Sequence, residues 1–254
     1  MTTISPQHQT MLDTVPLPAG ARIESERIAY EVPGAPADGQ LVWNAAAEGP
    51  QPAVLVLHDW FGEGEYVRTR AEMLARSGYV AFAADLYGTG VRPDTNEEAS
   101  GLAHHYYGDL PALRERVRAG YDVLAADLRV DPERIAVIGY CFGGSASIEF
   151  ARTGAPIAGV VSFHGGLVTH DPADVDALEA PLLVLTGAAD PVVPDEAVLA
   201  FENELRTKPG LDWQVVSYSE TPHAFTQPMI PSFRPKANAR SWAAMEGFLA
   251  EVLA

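Results

Sequence analysis

The chain has a single cysteine, Cys141, among its 254 residues. One cysteine excludes a disulfide bond within the chain, and it is compatible with a reducing compartment. The thiol is therefore not used for crosslinking inside this chain, and its surroundings have to explain why it is there.

Basic residues are scarce. Seventeen Lys and Arg side chains stand against 34 Asp and Glu side chains, which gives a formal net charge of −17. A field of this sign repels nucleic-acid backbones and anionic lipid headgroups. The composition therefore predicts neither a nucleic-acid partner nor a membrane partner.

Long apolar runs are missing as well. No segment approaches the roughly 18 apolar residues of a membrane-spanning helix, and residues 1–18 lack the basic and apolar regions of a secretory signal peptide. With 47% hydrophobic and 20% charged residues, the composition is typical of a soluble globular protein. We expect a cytoplasmic location.

What the chain does have is an alternation of short apolar segments with longer amphipathic ones. The apolar segments predict strands at residues 27–31, 40–44, 53–58, 79–84, 134–139, 157–163, 181–186 and 212–218. Helical spacing of apolar residues covers 64–77, 109–128, 141–153, 195–207 and 233–252. This alternation predicts the α/β class, with a mostly parallel twisted sheet of about eight strands flanked by helices on both faces.

Two segments lack this regular pattern. Residues 1–20 are polar and interrupted by prolines, which predicts a loose N-terminal arm before a single domain over residues 21–254. The segment Gly88 to Ser100 is predicted to be a long loop at the carboxyl ends of the strands, where functional groups of parallel sheets collect.

Cys141 stands in the sequence Gly139-Tyr140-Cys141-Phe142-Gly143, after a predicted strand and before a predicted helix. This is the GxSxG pattern of a nucleophile elbow with cysteine in the serine position, and the flanking glycines keep side chains out of the strained turn. The helix N-terminus also favours a thiolate. A free cysteine is often only a small buried residue, but burial alone does not account for the glycines.

A nucleophile of this kind needs a base and an acid that orients the base, and behind an elbow they follow in the order acid, histidine. Asp190 follows the predicted strand 181–186, and His223 follows the last predicted strand. The order predicts a triad of Cys141, Asp190 and His223. The simpler alternatives are an aspartate that only forms a turn and a histidine in a solvated loop.

An attacked carbonyl develops negative charge, which backbone N–H groups stabilise in an oxyanion hole. One donor is expected from Phe142, directly after the nucleophile, and position nominates Trp60, in the loop after 53–58, for the other. These two assignments rest on position, because a backbone donor does not depend on the identity of its side chain.

Five motifs then occur in the order found in one enzyme family: DWFG (59–62), ADLYG (84–88), GYCFGG (139–144), GAADPVVP (187–194) and HAF (223–225). With these motifs the chain resembles the dienelactone hydrolase family, cysteine-containing enzymes of the α/β-hydrolase fold, over roughly residues 25–252. The resemblance implies Cys141 as nucleophile, His223 as base and Asp190 as its orienting acid. It also implies Trp60 and Phe142 as the oxyanion donors.

The chain departs from the family at several positions. Where the best-known members pair a glutamate with the cysteine, the resemblance puts Asp59, which is one methylene shorter. Those members bind an anionic lactone with two arginines, and Thr89 and Gln227 occupy the matching positions here. An anion buried without such partners faces a large desolvation cost, although Arg92 or Arg234 could compensate from nearby loops.

Of three other histidines and a tyrosine, two are candidates for the site. His164, after another predicted strand, and Tyr87, in the ADLYG motif, are candidate substrate-lining residues, although His164 could simply hydrogen-bond a neighbouring loop. His104 and His105 have no further ligands around them and are predicted to lie on a helix surface. No metal site is predicted.

The sequence therefore predicts a hydrolase that cleaves an ester or lactone through a Cys-His-Asp triad and an acyl-thioester, similar to dienelactone hydrolase (carboxymethylenebutenolidase). It predicts a small-molecule substrate, no cofactor, and a monomer or homodimer. Within the hydrolases, the alternative is a carboxylesterase or thioesterase for small neutral acyl groups. From another class, the alternative is a noncatalytic binding protein or a redox sensor that uses Cys141.

Overall fold

The computed structural model describes residues 4–254. Its strands are β1 (Ile23–Val32), β2 (Ala35–Asn44), β3 (Gln51–Leu57), β4 (Val80–Ala84), β5 (Val130–Tyr140), β6 (Gly159–Phe163), β7 (Leu182–Gly187) and β8 (Trp213–Tyr218). Its α-helices are α1 (Pro6–Leu12), α2 (Glu65–Arg76), α3 (Asn96–Tyr107), α4 (Leu110–Ala125), α5 (Phe142–Ala151), α6 (Asp195–Arg206) and α7 (Pro235–Val252). A 3-10 helix covers Pro172–Ala177. Within residues 4–254, every helix is too short or too polar to cross a bilayer.

The strands form one eight-stranded sheet in the order β1-β2-β4-β3-β5-β6-β7-β8. β1 and β2 make an antiparallel hairpin, and β2 is antiparallel to β4. The pairs β3/β4, β5/β6, β6/β7 and β7/β8 are parallel. The predicted α/β class with a mostly parallel sheet is therefore confirmed.

The chain is organised in two compact units, an N-terminal unit Met1–Ile135 and a C-terminal unit Ala136–Ala254. In the N-terminal unit, α2 packs against β2, β3 and β4, and α4 packs against β1, β3 and β4. In the C-terminal unit, α5 packs against β6, and α7 packs against β6 and β7. The single domain expected over residues 21–254 stays a prediction.

Burial follows the apolar character of the strands. Every residue of β4, and likewise every residue of β6 and of β7, is buried. Strands covered on both faces have no solvent side, so their sequences are apolar throughout rather than alternating. β1, at the sheet edge, has mostly exposed and half-buried residues. The predicted strands and helices each overlap an observed element.

The predicted loop Gly88–Ser100 is wrong in its second half, because α3 begins at Asn96. The hydroxyl of Thr95 accepts the N–H of Glu98 at 3.2 Å and caps the helix. The buried face of α3 consists of Ala99, Ala103 and Tyr106. Two of these three are alanines, which differ little in hydropathy from their neighbours, so the helical period is weak in the sequence.

The segment predicted to be a loose N-terminal arm, residues 1–20, contains α1. Met11 and Leu12 of this helix are buried. The guanidinium of Arg76 in α2 donates to the carbonyls of Leu12 and Val15, at 3.4 and 3.2 Å. Apolar burial and these bonds hold the segment in place. Residues 1–3 lie outside the described residues.

Candidate active site

Four loops of the C-terminal unit carry most of the predicted site residues. Cys141 follows β5, His164 follows β6, Asp190 follows β7 and His223 follows β8. Because these four strands are parallel neighbours, their carboxyl ends lie at one edge of the sheet. The topology thus brings together residues as far apart in sequence as Cys141 and His223.

Cys141 sits in a strained turn. Its backbone has φ 53° and ψ −111°, a left-handed conformation that is unfavourable for a residue with a β-carbon. Its N–H donates to the carbonyl of Phe163 at 3.0 Å, and its carbonyl accepts the N–H of Ser145 at 3.1 Å. These bonds hold the turn, and the half-buried thiol stands at the N-terminus of α5. Phe142, the predicted oxyanion donor, is the first residue of that helix.

The glycines around Cys141 are required by close backbone contacts. A β-carbon on Gly139 would lie 1.9 Å from the carbonyl oxygen of Gly143. A β-carbon on Gly144 would lie 2.9 Å from the α-carbon of Gly165. Any side chain at these positions would force the backbone apart, so the glycine pattern reports the tight turn that the sequence predicted.

His223 and Asp190 lie in line with the thiol. His223 Nε2 is 3.2 Å from Cys141 Sγ, and His223 Nδ1 is 2.8 Å from Asp190 Oδ2. The other carboxylate oxygen of Asp190 accepts the N–H groups of Val192 and Val193, at 2.8 and 3.1 Å. The buried carboxylate is therefore held on one side by its own loop and faces the imidazole with the other. The three residues predicted as a triad are brought together.

The loops carrying Asp190 and His223 approach each other closely. A β-carbon on Gly187, the last residue of β7, would lie 2.1 Å from the carbonyl oxygen of Thr221. The N–H of Ala189 donates to that same carbonyl at 3.0 Å. Glycine at 187 therefore lets the loop that carries His223 come within hydrogen-bonding distance of the loop that carries Asp190.

The charges at the site favour a protonated His223. Burial alone would lower the pKa of His223, but its hydrogen bonds and charge interactions with Asp190 and Cys141 outweigh burial and raise the pKa to about 10. The imidazole therefore keeps its proton at neutral pH. A protonated ring bonded to Asp190 directs its Nε2–H at the sulfur of Cys141.

His164 is buried beside His223. His164 is only 2% exposed. Its Nε2 shares a 2.7 Å hydrogen bond with the hydroxyl of Thr226. Its ring stands against the ring of His223, with centroids 5.3 Å apart. These contacts match the alternative of a hydrogen bond to a neighbouring loop. The substrate-lining role stays a prediction that burial does not favour.

The other predicted site residues belong to the N-terminal unit. Asp59 and Trp60 are half-buried in the turn after β3, where a carboxylate oxygen of Asp59 accepts the N–H of Phe61 at 2.9 Å. Tyr87 is buried, with its ring stacked on Tyr106 at 5.6 Å and edge-on to His58 at 4.6 Å. Pairing of Asp59 with the thiol, an oxyanion bond from Trp60 and substrate contact by Tyr87 stay predictions.

The two arginines considered as substitutes for the family's anion clamp are engaged elsewhere. Arg92 donates to the carboxylates of Glu63 and Asp85, at 3.0 and 3.3 Å. Arg234 donates to the carbonyls of Pro231 and Phe233, at 3.0 and 3.1 Å. Both guanidinium groups thus have local acceptors.

Two fully buried residues, in loops that also carry predicted site residues, were not singled out from the sequence. Glu63 is fully buried and accepts hydrogen bonds from Arg27, Arg68 and Arg92. Burial alone would raise its pKa, but Arg68 and Arg27 outweigh burial and lower the pKa. Its sequence signal is only an acid in the loop after β3. The second residue, Thr226, directly follows the HAF motif, and that adjacency is a usable signal.

Histidines outside these loops show no ligand cluster. His104 and His105 are exposed on α3, the helix surface that was predicted. Among residues 4–254, no group of three or more His, Cys, Asp and Glu side chains is arranged to hold a metal ion.

Residues 38–253 match the model of the dienelactone hydrolase family. A solved structure described as a dienelactone hydrolase-like promiscuous phosphotriesterase, P91, from metagenomic libraries is 36% identical, with a TM-score of 0.87. That match covers 92% of this chain and 100% of the other. A Bradyrhizobium protein named "Probable 2-oxo-3-(5-oxofuran-2-ylidene)propanoate lactonase" is 28% identical over 204 residues, which are 76% of this chain and 81% of that protein.

Proposed function

Because the chain belongs to the dienelactone hydrolase family, a family of hydrolases that act on ester or lactone bonds, we propose that it cleaves a carboxylic ester or lactone with Cys141 as nucleophile. One observation carries the proposal, the continuous line from Asp190 Oδ2 through His223 to Cys141 Sγ, with distances of 2.8 and 3.2 Å. The strained turn at Cys141 supports it, because such strain persists where function needs the exposed side chain.

The first half of the proposed reaction forms an acyl-thioester. The thiolate of Cys141 attacks the substrate carbonyl, and the carbonyl oxygen becomes an oxyanion that the N–H of Phe142 stabilises. The second donor, Trp60, is assigned by its position in the loop after β3 and by the family resemblance. Collapse of the tetrahedral intermediate breaks the carbon–oxygen bond of the ester, and His223 gives its Nε2 proton to the leaving alkoxide.

The second half releases the acid. His223, now neutral, takes a proton from water, and the resulting hydroxide attacks the thioester carbonyl. Collapse of this second intermediate expels the Cys141 thiolate and leaves the carboxylic acid. With a lactone substrate, the alkoxide stays tethered to the acyl group, so the product is a hydroxy acid. Asp190 keeps Nδ1 protonated throughout, which leaves Nε2 as the atom that moves protons.

We propose that the favoured substrates are small and neutral. Thr89 and Gln227 stand where the resemblance expects arginines, and the guanidinium groups of Arg92 and Arg234 are bonded to local acceptors. A substrate carboxylate would thus lose its hydration without gaining an arginine partner. The Bradyrhizobium relative is named for a substrate that carries a carboxylate, so the two proteins are expected to differ in this preference.

A chromogenic ester tests the reaction. Wild type is expected to turn over p-nitrophenyl acetate, and Cys141→Ala and His223→Ala are expected to lower kcat/KM by comparable factors, on the order of 10³-fold or more. Turnover that is unchanged in Cys141→Ala would remove Cys141 as nucleophile. No turnover of any ester or lactone by wild type would favour the binding or redox-sensing alternative. Matched lactones with and without a free carboxylate then test the preference for neutral substrates.

Hydrolysis of phosphotriesters is a second candidate, favoured by the 36% identity to the promiscuous phosphotriesterase. A phosphotriester is neutral, so it needs no arginine clamp, and attack by a thiolate also places negative charge on a non-bridging oxygen. A p-nitrophenyl dialkyl phosphate tests it, with Cys141→Ala as the control. Release of p-nitrophenol by wild type only would support this activity, and equal release by both proteins would exclude it.

A further inference from the structure

His164 and Thr226 form a buried pair directly beside the triad base. The planes of the His164 and His223 rings make an angle of 66°. On another side, the ring of His164 meets the ring of Phe225 at 5.2 Å and 77°. His164 is therefore wedged between two rings of the loop that carries the base.

The backbone of His164 is held in an unfavourable conformation. Its φ is 42°, in the left-handed region that side-chain-bearing residues rarely adopt. Its N–H donates to the carbonyl of Leu185 at 2.8 Å, while the preceding residue, Phe163, accepts the N–H of Cys141. At the end of β6, Phe163 therefore bonds the backbone of Cys141, and the next residue, His164, packs against the ring of His223.

Thr226 limits how the His164 ring can turn. Its hydroxyl and the Nε2 of His164 are 2.7 Å apart, and Thr226 is fully buried. With a buried bond at Nε2, rotation of the imidazole about its side-chain bonds would leave two polar atoms without that partner, which is costly. His164 therefore presents a fixed ring to His223.

The fixed ring of His164 limits a motion of the His223 imidazole that its two hydrogen bonds allow. The bonds of His223 to Asp190 and to Cys141 fix two points of its imidazole. They leave the ring free to tilt about the line that joins Nδ1 and Nε2. A rigid ring packed at 66° to it, with ring centroids 5.3 Å apart, opposes that tilt.

We propose that His164 and Thr226 are positioning residues that hold the imidazole of His223 in the plane it needs to bond both Cys141 and Asp190. This inference rests on the proposed function and deepens it. It replaces direct substrate contact by His164 with an action through His223. Neither residue is assigned a proton-transfer step.

The test compares substitutions at Thr226. Thr226→Val removes the hydroxyl and keeps the shape, whereas Thr226→Ser keeps the hydroxyl. We expect Thr226→Val to lower kcat by roughly 10-fold with KM nearly unchanged, because it removes orientation rather than binding. Thr226→Ser is expected to retain most of the activity. Thr69→Val is the matched control, since Thr69 is also buried but bonds the carbonyl of Glu65 in α2.

A second readout does not depend on turnover. NMR titration of the His223 imidazole reports its bonds to Asp190 and Cys141, which raise its pKa, and we expect that pKa to be lower in Thr226→Val and in His164→Ala than in wild type. This readout separates the positioning inference from the proposed function: absence of hydrolysis by wild type would contradict the proposed function, while the imidazole titration would still test the positioning.

Three results would overturn the inference. A lower melting temperature of Thr226→Val with wild-type kcat and a wild-type pKa of His223 would show a merely structural role. A raised KM with unchanged kcat in His164→Ala would restore the substrate-lining role. Equal losses in Thr226→Val and Thr226→Ser would exclude the hydroxyl. If His164→Ala does not fold, the Thr226 pair carries the test.

Discussion

The Nδ1 atom of His223 lies 2.8 Å from Oδ2 of Asp190. The second carboxylate oxygen is occupied by two backbone N–H groups of the same loop. The carboxylate therefore cannot rotate without losing several bonds, so the orientation of the imidazole is set by a fixed acceptor.

Asp190→Asn tests this orientation. An amide can offer its N–H₂ group to Nδ1, which would favour the tautomer with the proton on Nε2 and leave no acceptor toward Cys141. We expect kcat to fall by on the order of 10²–10⁴-fold with little change in fold. Ester hydrolysis and circular dichroism provide the measurements. Asp195→Asn, at the exposed start of α6, is the control and should leave kcat within about 2-fold; a similar loss there would contradict a specific role for Asp190.

The raised pKa of His223 predicts a pH effect on stability. In the folded protein the pKa of His223 is about 10, above its ordinary value of 6.5. Its contribution to stability is therefore fully present below pH 6.5 and is lost as the pH rises through about 10, because the unfolded chain gives up this proton earlier. The melting temperature of wild type should fall relative to that of His223→Gln as the pH is raised from 6.5 to 10.

An NMR titration of the imidazole gives the direct check. The His223 ring should stay protonated at pH 8, and its pKa should drop in Cys141→Ala, which removes one of the groups that raise it. A midpoint near the ordinary histidine value in wild type would show that the ion pair with Cys141 is not formed.

Glycine at 139 is predicted to be irreplaceable. A β-carbon there meets the carbonyl of Gly143 at 1.9 Å, so Gly139→Ala must displace backbone. We expect a loss of about 3–5 kcal/mol in the free energy of unfolding, and loss of activity. Gly247→Ala in α7 is the opposite case, because a β-carbon there meets nothing within 4 Å. It should stabilise the protein by about 0.5–1 kcal/mol in a denaturant titration. Equal effects of the two changes would refute the steric argument.

Glu63 is predicted to contribute strongly to the free energy of unfolding. It is fully buried among three arginine side chains, so Glu63→Gln leaves those guanidinium groups without their shared anion. Because the arginines are themselves partly exposed, we expect a loss of about 1.5–3 kcal/mol in the free energy of unfolding. Glu72→Gln removes a partly exposed pair with Arg76 in α2 and should lose less than about 1 kcal/mol. Urea denaturation of both variants checks the ordering, and a loss at Glu72 as large as that at Glu63 would contradict it.

Much of the fold was predictable because its signals are local. Strands β4, β6 and β7 are apolar at nearly every position, and their lengths bound them clearly. The helix α3 was missed because its buried face depends on small residues. The sequence did not predict the helix α1, because a segment with so few apolar residues has no clear helical period. Its buried residues include Met11 and Leu12, and Arg76 of α2 bonds the carbonyl of Leu12; both features depend on the tertiary structure.

The family was recognisable from five short motifs, and the match over residues 38–253 bears this out. Unlike the family, the individual roles predicted for Asp59, Trp60, Phe142 and Tyr87 cannot be read from the motifs. They depend on backbone direction and on packing, which short motifs do not specify. The commitment of Arg92 to Glu63 and Asp85 likewise follows from side chains that meet across 29 and 7 positions of the chain.

By itself the sequence determined the strand–turn–helix around Cys141 and the placement of Asp190 and His223 after later strands, because glycine spacing and apolar runs act within a few residues of where they stand. Only the tertiary structure decided that His164 stands against His223 and is bonded to Thr226, 62 positions away. Such a contact depends on which strands lie side by side and on the conformation of each loop at their carboxyl ends. Those are properties of the whole sheet, and no short stretch of residues encodes them.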